Sequence, residues 1–381
     1  MPKKKILIFI DWFLPGTNSG GPIQSYANLI EYFKEEYDFY VVTRNIDYES
    51  DEPYEGIVSG SWNRLSEHLE VHYLFHNQLR NTDYRKIINS KNFDLALVNG
   101  IYSWYFSILP VFFLKKSGIP TIISARGMLS PQGLSVKKLK KLLFLFITKI
   151  TCFYRELTFH ATNDDEAVHI RGWIGKKNRI KIASNLPKKI EAFKQAKLYK
   201  SDPVRFVYVG RVSPEKGTLT VIDNLIKINF DRPVILDIYG PIYDKTYWGK
   251  CVESINNLPE LVSVFYKGSV TNDVLPEVLY KYDFFILLSE GENFGHSIIE
   301  AMSAGLPVII SDLTPWKNLE KRSIGWDVDP KNEKEIHRVL KYAVEMNDEL
   351  YNKFSTNSYN FAAEFNESSE IINQNKKLLE F

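Results

Sequence analysis

Cysteine is scarce in this chain of 381 residues. There are two, Cys152 and Cys251, far apart and in no metal-ligating or redox spacing. A disulfide framework and a zinc ribbon are therefore excluded, and both thiols are read as buried and reduced. Long apolar runs are missing as well. No stretch approaches the ~18–20 residues a spanning helix needs. The basic start, MPKKKILIFIDWF, has too short an apolar run for a signal peptide and is interrupted by Asp11. Neither G-x-G-x-x-G nor G-x-x-x-x-G-K-[ST] occurs, which argues against a dinucleotide fold and a P-loop. No nucleic-acid module and no Ser-His-Asp or Cys-His order stands out, and the histidines lack ligand spacing. Net charge is only +2, but unevenly spread: residues 1–185 hold 24 Lys+Arg against 18 Asp+Glu, and the remainder 24 against 28. A basic first half suits an acidic partner, and chance gives such an asymmetry too.

What is present is a repeated alternation. KKILIFI, DFYVVTR, FDLALVNG, PTIISARG and ELTFHAT read as short buried strands separated by helical patterns. A second series begins near Val204 with RFVYVGRV, PVILDIYG, VSVFYKGSV, YDFFILLS and LPVIIS. Strands alternating with helices predict α/β architecture: two Rossmann-like, doubly wound parallel sheets in tandem, facing across a cleft. The expected division is an acceptor-binding domain at 1–185, a nucleotide-sugar-binding domain at 186–355, and a C-terminal helix at 356–381 crossing back to the first. The joint is expected within the Lys-rich residues 185–203.

Ligands of doubly wound sheets bind at the carboxyl ends of strands, so motifs there carry the chemistry. After the first strand, Gly16, Gly20 and Gly21 lead into a helix and allow close backbone approach. After Val209 comes GRVSPEKG, with Arg211 and Lys216 five apart: a planar fork and a point charge suited to a diphosphate, or two solvated loop cations. Residues 289–311, SEGENFGHSIIEAMSAGLPVIIS, read as strand end, glycine loop, helix, turn and buried strand. Glu292 lies on the loop, and Glu300 lies in the helix about 7 Å further along. The amides of Asn293, Phe294, Gly295, His296 and Ser297 open a helix N-terminus, which favours anions. Two carboxylates for hydroxyls and amides for phosphate suggest a sugar nucleotide, although an isolated pair of this kind also arises from a capping or surface glutamate. Arg126, in SARGMLSPQGL, follows a buried strand and meets an acceptor phosphate or leaving group, or is structural. Lys137, Lys138, Lys140 and Lys141 beside LLFLFI resemble a basic amphipathic helix that lies on an anionic membrane, or a half-buried helix with a solvated end. Asp327 and Asp329 form an Asp-x-Asp that reads as a turn, so no metal is expected.

Taken together, Gly20–Gly21–Pro22, GRVSPEKG from Gly210, Tyr239–Gly240–Pro241 and ENFGHSIIEAMSAGLPVI from Glu292 resemble the retaining glycosyltransferases of family four, with the GT-B fold. ARGMLSP and SDLTPWKNL are similar to the branch that builds bacterial surface polysaccharides. The resemblance implies a metal-independent hexosyltransferase with no cofactor. Its co-substrate would be a UDP-sugar or GDP-mannose, and its acceptor lipid-linked or an oligosaccharide. It implies donor contacts at Gly20, Gly21, Gly210, Arg211, Lys216, Gly240, Pro241, Asn293, Phe294, Gly295, His296, Ser297 and Glu300. Glu292 would face the transferred sugar, Glu300 the ribose, and Arg211 and Lys216 the diphosphate. Family members often carry His-Gly where this chain has Arg126–Gly127, and Pro-Asn-Gly where it has Asn185 followed by Leu186. The implied location is cytoplasmic, peripheral on the inner membrane face, with no nucleic acid. A nucleotide-sugar epimerase and an inactive sugar-nucleotide-binding subunit are the alternatives.

Overall fold

The computed structural model describes residues 3–135, 137–175, 177–189 and 202–380. The chain divides into two compact units, Met1–Lys189 with Ser368–Phe381, and Ile190–Glu367. Much of the expected joint, residues 190–201, lies outside the described residues.

In the first unit, eight strands form one sheet: β1 (Lys4–Phe9), β2 (Tyr37–Arg44), β3 (Trp62–Ser66), β4 (Leu69–Leu74), β5 (Leu95–Asn99), β6 (Thr121–Ser124), β7 (Thr158–Ala161) and β8 (Arg179–Ile182). The order is β3-β4-β2-β1-β5-β6-β7-β8. All pairs are parallel except the edge hairpin β3–β4. The helices are α1 (Gly21–Phe33), α2 (Tyr84–Ile88), α3 (Leu109–Ser117), α4 (Pro131–Ser135), α5 (Lys138–Ile150) and α6 (Asp164–Ile174). β5 and β6 are buried end to end, and β1 from Ile6 onward, as parallel strands covered on both faces are, which is why they read as continuous apolar runs.

The second unit has six parallel strands: β9 (Val204–Val209), β10 (Val234–Tyr239), β11 (Val262–Gly268), β12 (Phe284–Leu287), β13 (Val308–Ser311) and β14 (Gly325–Val328). Their order is β11-β10-β9-β12-β13-β14. The chain winds outward from β9 to one side and then from β12 to the other, so the order reverses between β9 and β12. A ligand crevice opens at the carboxyl ends of such a switch point. The first unit reverses likewise between β1 and β5. The helices are α7 (Thr218–Ile226), α8 (Lys245–Ile255), α9 (Leu275–Leu279), α10 (His296–Ser303), α11 (Glu333–Glu345) and α12 (Asp348–Asn366).

The C-terminal segment differs from the single helix expected over 356–381. One helix, α12, runs through that boundary, and Asn347 caps its first turn. A second, α13 (Ser369–Leu379), starts at the Ser368 cap and groups with the first unit. It is held there by Lys181, whose Nζ donates to the Lys377 and Glu380 carbonyls at 2.7 and 2.8 Å. Asn375 Nδ2 donates to the Ser184 carbonyl at 2.8 Å. Cys152 also departs from expectation. It is exposed, in the turn that follows α5, while Cys251 is buried in α8 and its thiol is pushed up to about 12 by that burial.

Candidate functional site

Two loops of the second unit flank its switch point. The loop after β9 is shaped from beneath by Tyr208, a buried strand residue whose hydroxyl donates to the Arg211 carbonyl at 3.0 Å and accepts from Thr218 Oγ1 at 2.9 Å. Burial raises the Tyr208 phenol far above its usual range, so it remains a neutral donor. The loop from β10 runs alongside: Gly210 N donates to the Tyr239 carbonyl and Val212 N to the Pro241 carbonyl, each at 2.9 Å. Gly240 is required here, because a Cβ would stand 2.0 Å from the Gly210 oxygen. Gly210, Gly240 and Pro241 thus form a backbone bracket for Arg211 and Lys216. Gly217 closes the loop with φ +68°, and a Cβ there would stand 1.9 Å from the Leu288 oxygen. That contact presses the first loop against the start of the second.

The second loop leaves β12. Glu290 N donates to the Glu215 carbonyl at 2.9 Å, and Glu292 N to the Leu313 carbonyl at 3.3 Å. These bonds bring Lys216 Nζ to 2.6 Å from Glu292 Oε1. The pair is largely buried, with side-chain exposures of 20% and 9%. Arg211, on the same loop, lies over the Tyr243 ring at 5.0 Å, and its Nη2 is 3.9 Å from Glu215. Phe294 is anchored by its carbonyl, which accepts from Trp316 Nε1 at 2.6 Å, and by ring contacts to Trp316, His296 and Phe365. Gly295 is the N-cap of α10 with φ 80°, which turns the amides of His296 and Ser297 into the helix's first turn. Asn293 precedes this anchored turn. Glu300 is buried one turn deeper on α10. An ammonium paired to a carboxylate, a neighbouring guanidinium and a helix N-terminus together form a surface for a negatively charged, hydroxyl-rich ligand.

The remaining candidates lie in the first unit. Gly20 is the N-cap of α1, and a Cβ on either Gly20 or Gly21 would meet nothing within 4 Å, so this loop is open. Arg126 is in the left-handed region with φ +53°. Its Nη1 donates to Asn185 Oδ1 at 2.5 Å, and its guanidinium lies 5.0 Å over the Tyr26 ring of α1. These contacts make it a tie between α1 and the segment leaving β8. Asn28 reinforces the tie by donating to the Leu186 carbonyl at 2.8 Å.

Beside it lies a buried network that sequence reasoning passed over. His160 Nε2 donates to the Ala183 carbonyl at 2.8 Å, and the Ser124 hydroxyl donates to Nδ1 at 2.9 Å. Burial, helped by Arg126, pushes the imidazole down to about 4 and keeps it neutral. Glu166 receives Gly127 N at 2.7 Å, Thr162 N at 2.8 Å and Thr162 Oγ1 at 2.7 Å. Burial alone would raise this carboxyl, but the three hydrogen bonds outweigh it and lower it. Ser124, His160 and Ala183 sit on or beside β6, β7 and β8, and only sheet pairing brings them together.

Asp327 accepts from the Asn318 and Leu319 amides, and Asp329 from Lys331 N, so both fasten turns. Among the described residues no cluster of His, Cys, Asp and Glu has the makings of a metal site. Lys137, Lys138 and Lys140 are exposed at the start of α5. Lys141 is turned inward: its Nζ donates to the Gly133 carbonyl at 2.5 Å and lies over Tyr102, and burial lowers its affinity for a proton. Among the described residues no helix is long and apolar enough to cross a membrane.

Residues 189–361 match the family model described as glycosyl transferases group 1. The chain is 27% identical over 213 residues to a GDP-mannose:cellobiosyl-diphosphopolyprenol alpha-mannosyltransferase of Xanthomonas oryzae pv. oryzae, covering 54% of this chain and 53% of that one. It spans between 14% and 53% of the length of the curated relatives it matches. Among solved structures, sucrose-phosphate synthase from Thermosynechococcus elongatus superposes with TM-score 0.74 at 16% identity, over 99% of this chain and 98% of that one. HepE of Anabaena, in complex with UDP and glucose, gives 0.68 at 17% identity over the same shares. At these identities the structural likeness shows the fold alone, which is the two-unit GT-B architecture.

Proposed function

We propose that this chain, whose second unit is a glycosyl transferases group 1 domain, is a retaining, metal-independent hexosyltransferase. It moves a sugar from a nucleoside-diphosphate sugar to a lipid-linked or oligosaccharide acceptor in surface polysaccharide synthesis, at the inner face of the cell membrane. The observation that carries this reading is the Lys216–Glu292 pair, 2.6 Å apart across the second unit's switch point. Arg211 stands on the same loop, and α10 opens beside it. In this reading the donor's C1–O bond to the diphosphate breaks. Lys216 and Arg211 hold the diphosphate, while the β-phosphate oxygen that leaves accepts the acceptor's hydroxyl proton. The acceptor oxygen bonds to C1 on the same face, so the anomeric configuration is kept. Fixed cations at the leaving group lower the barrier because their charge is already in place. Glu292 meets the sugar ring and orients Lys216, Glu300 holds the ribose, and the first-turn amides of α10 meet phosphate or sugar hydroxyls. Arg126 acts from a distance, by holding α1.

The Xanthomonas relative's GDP-mannose and the UDP and glucose of the Anabaena complex name the first donors to try. A ligand that binds only the folded chain raises its melting temperature by mass action. One sugar nucleotide of a UDP- and GDP-linked panel should therefore raise the melting temperature of the wild type by several degrees. The same donor should do so far less in Lys216→Ala and Glu300→Ala, and both variants should lose roughly a hundredfold or more in transfer. Equal shifts and equal transfer in all three proteins would refute the site, and conversion of donor to an epimer without acceptor would replace the reaction.

A further inference from the structure

Helix α5 (Lys138–Ile150) packs the wrong way round for a core helix. At about 100° per residue, Leu139, Leu143, Phe146, Ile147 and Ile150 fall on one stripe, spaced as an amphipathic helix spaces its buried face. That stripe points away from the protein: exposure runs from 50% at Ile147 to 83% at Leu139. The face turned inward is the mixed one, carrying Leu145 and Thr148, with Lys141 and Phe144 against Tyr102. Five large apolar side chains on adjoining helical turns exceed the scattered exposure that a water-facing surface ordinarily shows.

The charges beside the stripe are all of one sign. Lys140 lies along one edge, and Lys138 and Lys149 along the other, with Lys137 at the N-terminal end; all four are exposed. No Asp or Glu occurs between Lys137 and Thr151. The patch continues onto α3. Lys115 Nζ donates to the Phe153 carbonyl at 2.8 Å, just past the end of α5, and the exposed Lys116 ammonium stands 4.0 Å over the exposed Phe112 ring. An apolar stripe between two rows of lysines is complementary to an anionic bilayer. The side chains enter the acyl boundary by about 5–10 Å, and the lysines reach sideways to lipid phosphates.

We infer that α5 is an in-plane anchor that seats the first unit on an anionic lipid surface through Leu139, Leu143, Phe146, Ile147 and Ile150. Its position relative to the sheet gives the contact a use. Phe144 and Lys141 pack on Tyr102, which lies in the loop leaving β5, one of the two strands at the first unit's switch point. A bilayer held against α5 therefore runs close to the edge where this sheet takes a ligand. That use, presenting a lipid-anchored acceptor, rests on the proposed transferase reading. The surface itself does not.

The test is co-sedimentation of the full chain with vesicles in the absence of sugar nucleotide, so that an inactive enzyme still reports on the surface. Vesicles containing phosphatidylglycerol should pellet the protein, vesicles of phosphatidylcholine alone should pellet much less, and added salt should weaken the difference. Reversing Lys138, Lys140 and Lys149 together to Glu should lower apparent affinity for the anionic vesicles by roughly a hundredfold. The double variant Phe146→Ser/Ile150→Ser should lower it by roughly tenfold or more at any salt. Melting temperatures should stay as in the wild type, because the altered side chains are exposed. Wild-type protein left in the supernatant, or variants that pellet as the wild type does, would overturn the proposal. So would a dimer in light scattering that Phe146→Ser dissolves, since a second copy would then cover the stripe.

Discussion

Lys216 and Glu292 lie seventy-six positions apart, yet they form one charged unit. Glu292 is nearly buried, and its carboxylate is tolerated because an ammonium stands 2.6 Å away. Both residues were legible in the sequence as candidates, since each sits at a strand end in a glycine loop. Their pairing was not, because it follows from β9 and β12 being neighbours. His160 shows the same limit more sharply. It looked like one of several unremarkable histidines, and its partners Ser124 and Ala183 are supplied by flanking strands. Its titration should be visible in stability. The unfolded imidazole binds a proton near pH 6.5, whereas the folded one resists until about 4. The unfolded state therefore binds more protons between those values. This contribution to stability is complete above about pH 6.5, falls as the pH drops, and levels off near 4, for a total of up to about 3 kcal/mol. Glu166, with its lowered carboxyl, adds a loss in the same direction at the acid end. Urea unfolding at a series of pH values should show this slope, and His160→Gln should flatten it between pH 6.5 and 5. An unchanged slope in that variant would assign the acid sensitivity elsewhere.

At the scale of elements, ten strands were read correctly, most of them because a doubly covered parallel strand is a short apolar run. Four were missed: β4, LEVHYL, and β14, GWDV, are mostly buried, but charged residues interrupt their apolar runs. β3, WNRLS, is an exposed antiparallel edge, and β8, RIKI, has no buried residue, so neither carries that signal. The loops that shape the site were visible as glycines, but not what each glycine faces. Gly217 is the informative case. With φ +68° and a backbone oxygen 1.9 Å from any added Cβ, it fixes where Lys216 is presented. Gly217→Ala should cost about 2–4 kcal/mol of stability and remove the donor-induced thermal shift. Gly249→Ala, inside α8 with nothing within 4 Å of its new Cβ, should instead stabilise by about 0.5–1 kcal/mol. Chemical denaturation of the two variants side by side checks both signs.

For the whole molecule, the informative fact is that the first unit is discontinuous. Its sheet is complete by β8, but α13 buries Ile371, Leu378 and Leu379 against it and occupies Lys181 and Ser184. Deleting residues 368–380 should therefore lower the melting of the first unit, by at least about 5 kcal/mol for three large buried apolar side chains, and leave the second unit's transition in place. Calorimetry that showed one unshifted transition would contradict this. The same feature bears on how the chain is made. A ribosome delivers residues in order, and domains ordinarily close as they emerge. Here the unit that begins first finishes last: the second, whose chain is continuous, is free to close while the first still waits for its final helix. Until α13 has emerged, the apolar positions that it will cover, and the bare stripe of α5, belong to a half-built body. The nascent chain thus stays adhesive throughout the making of its second unit, the interval in which a nearby membrane or a chaperone is best placed to receive it.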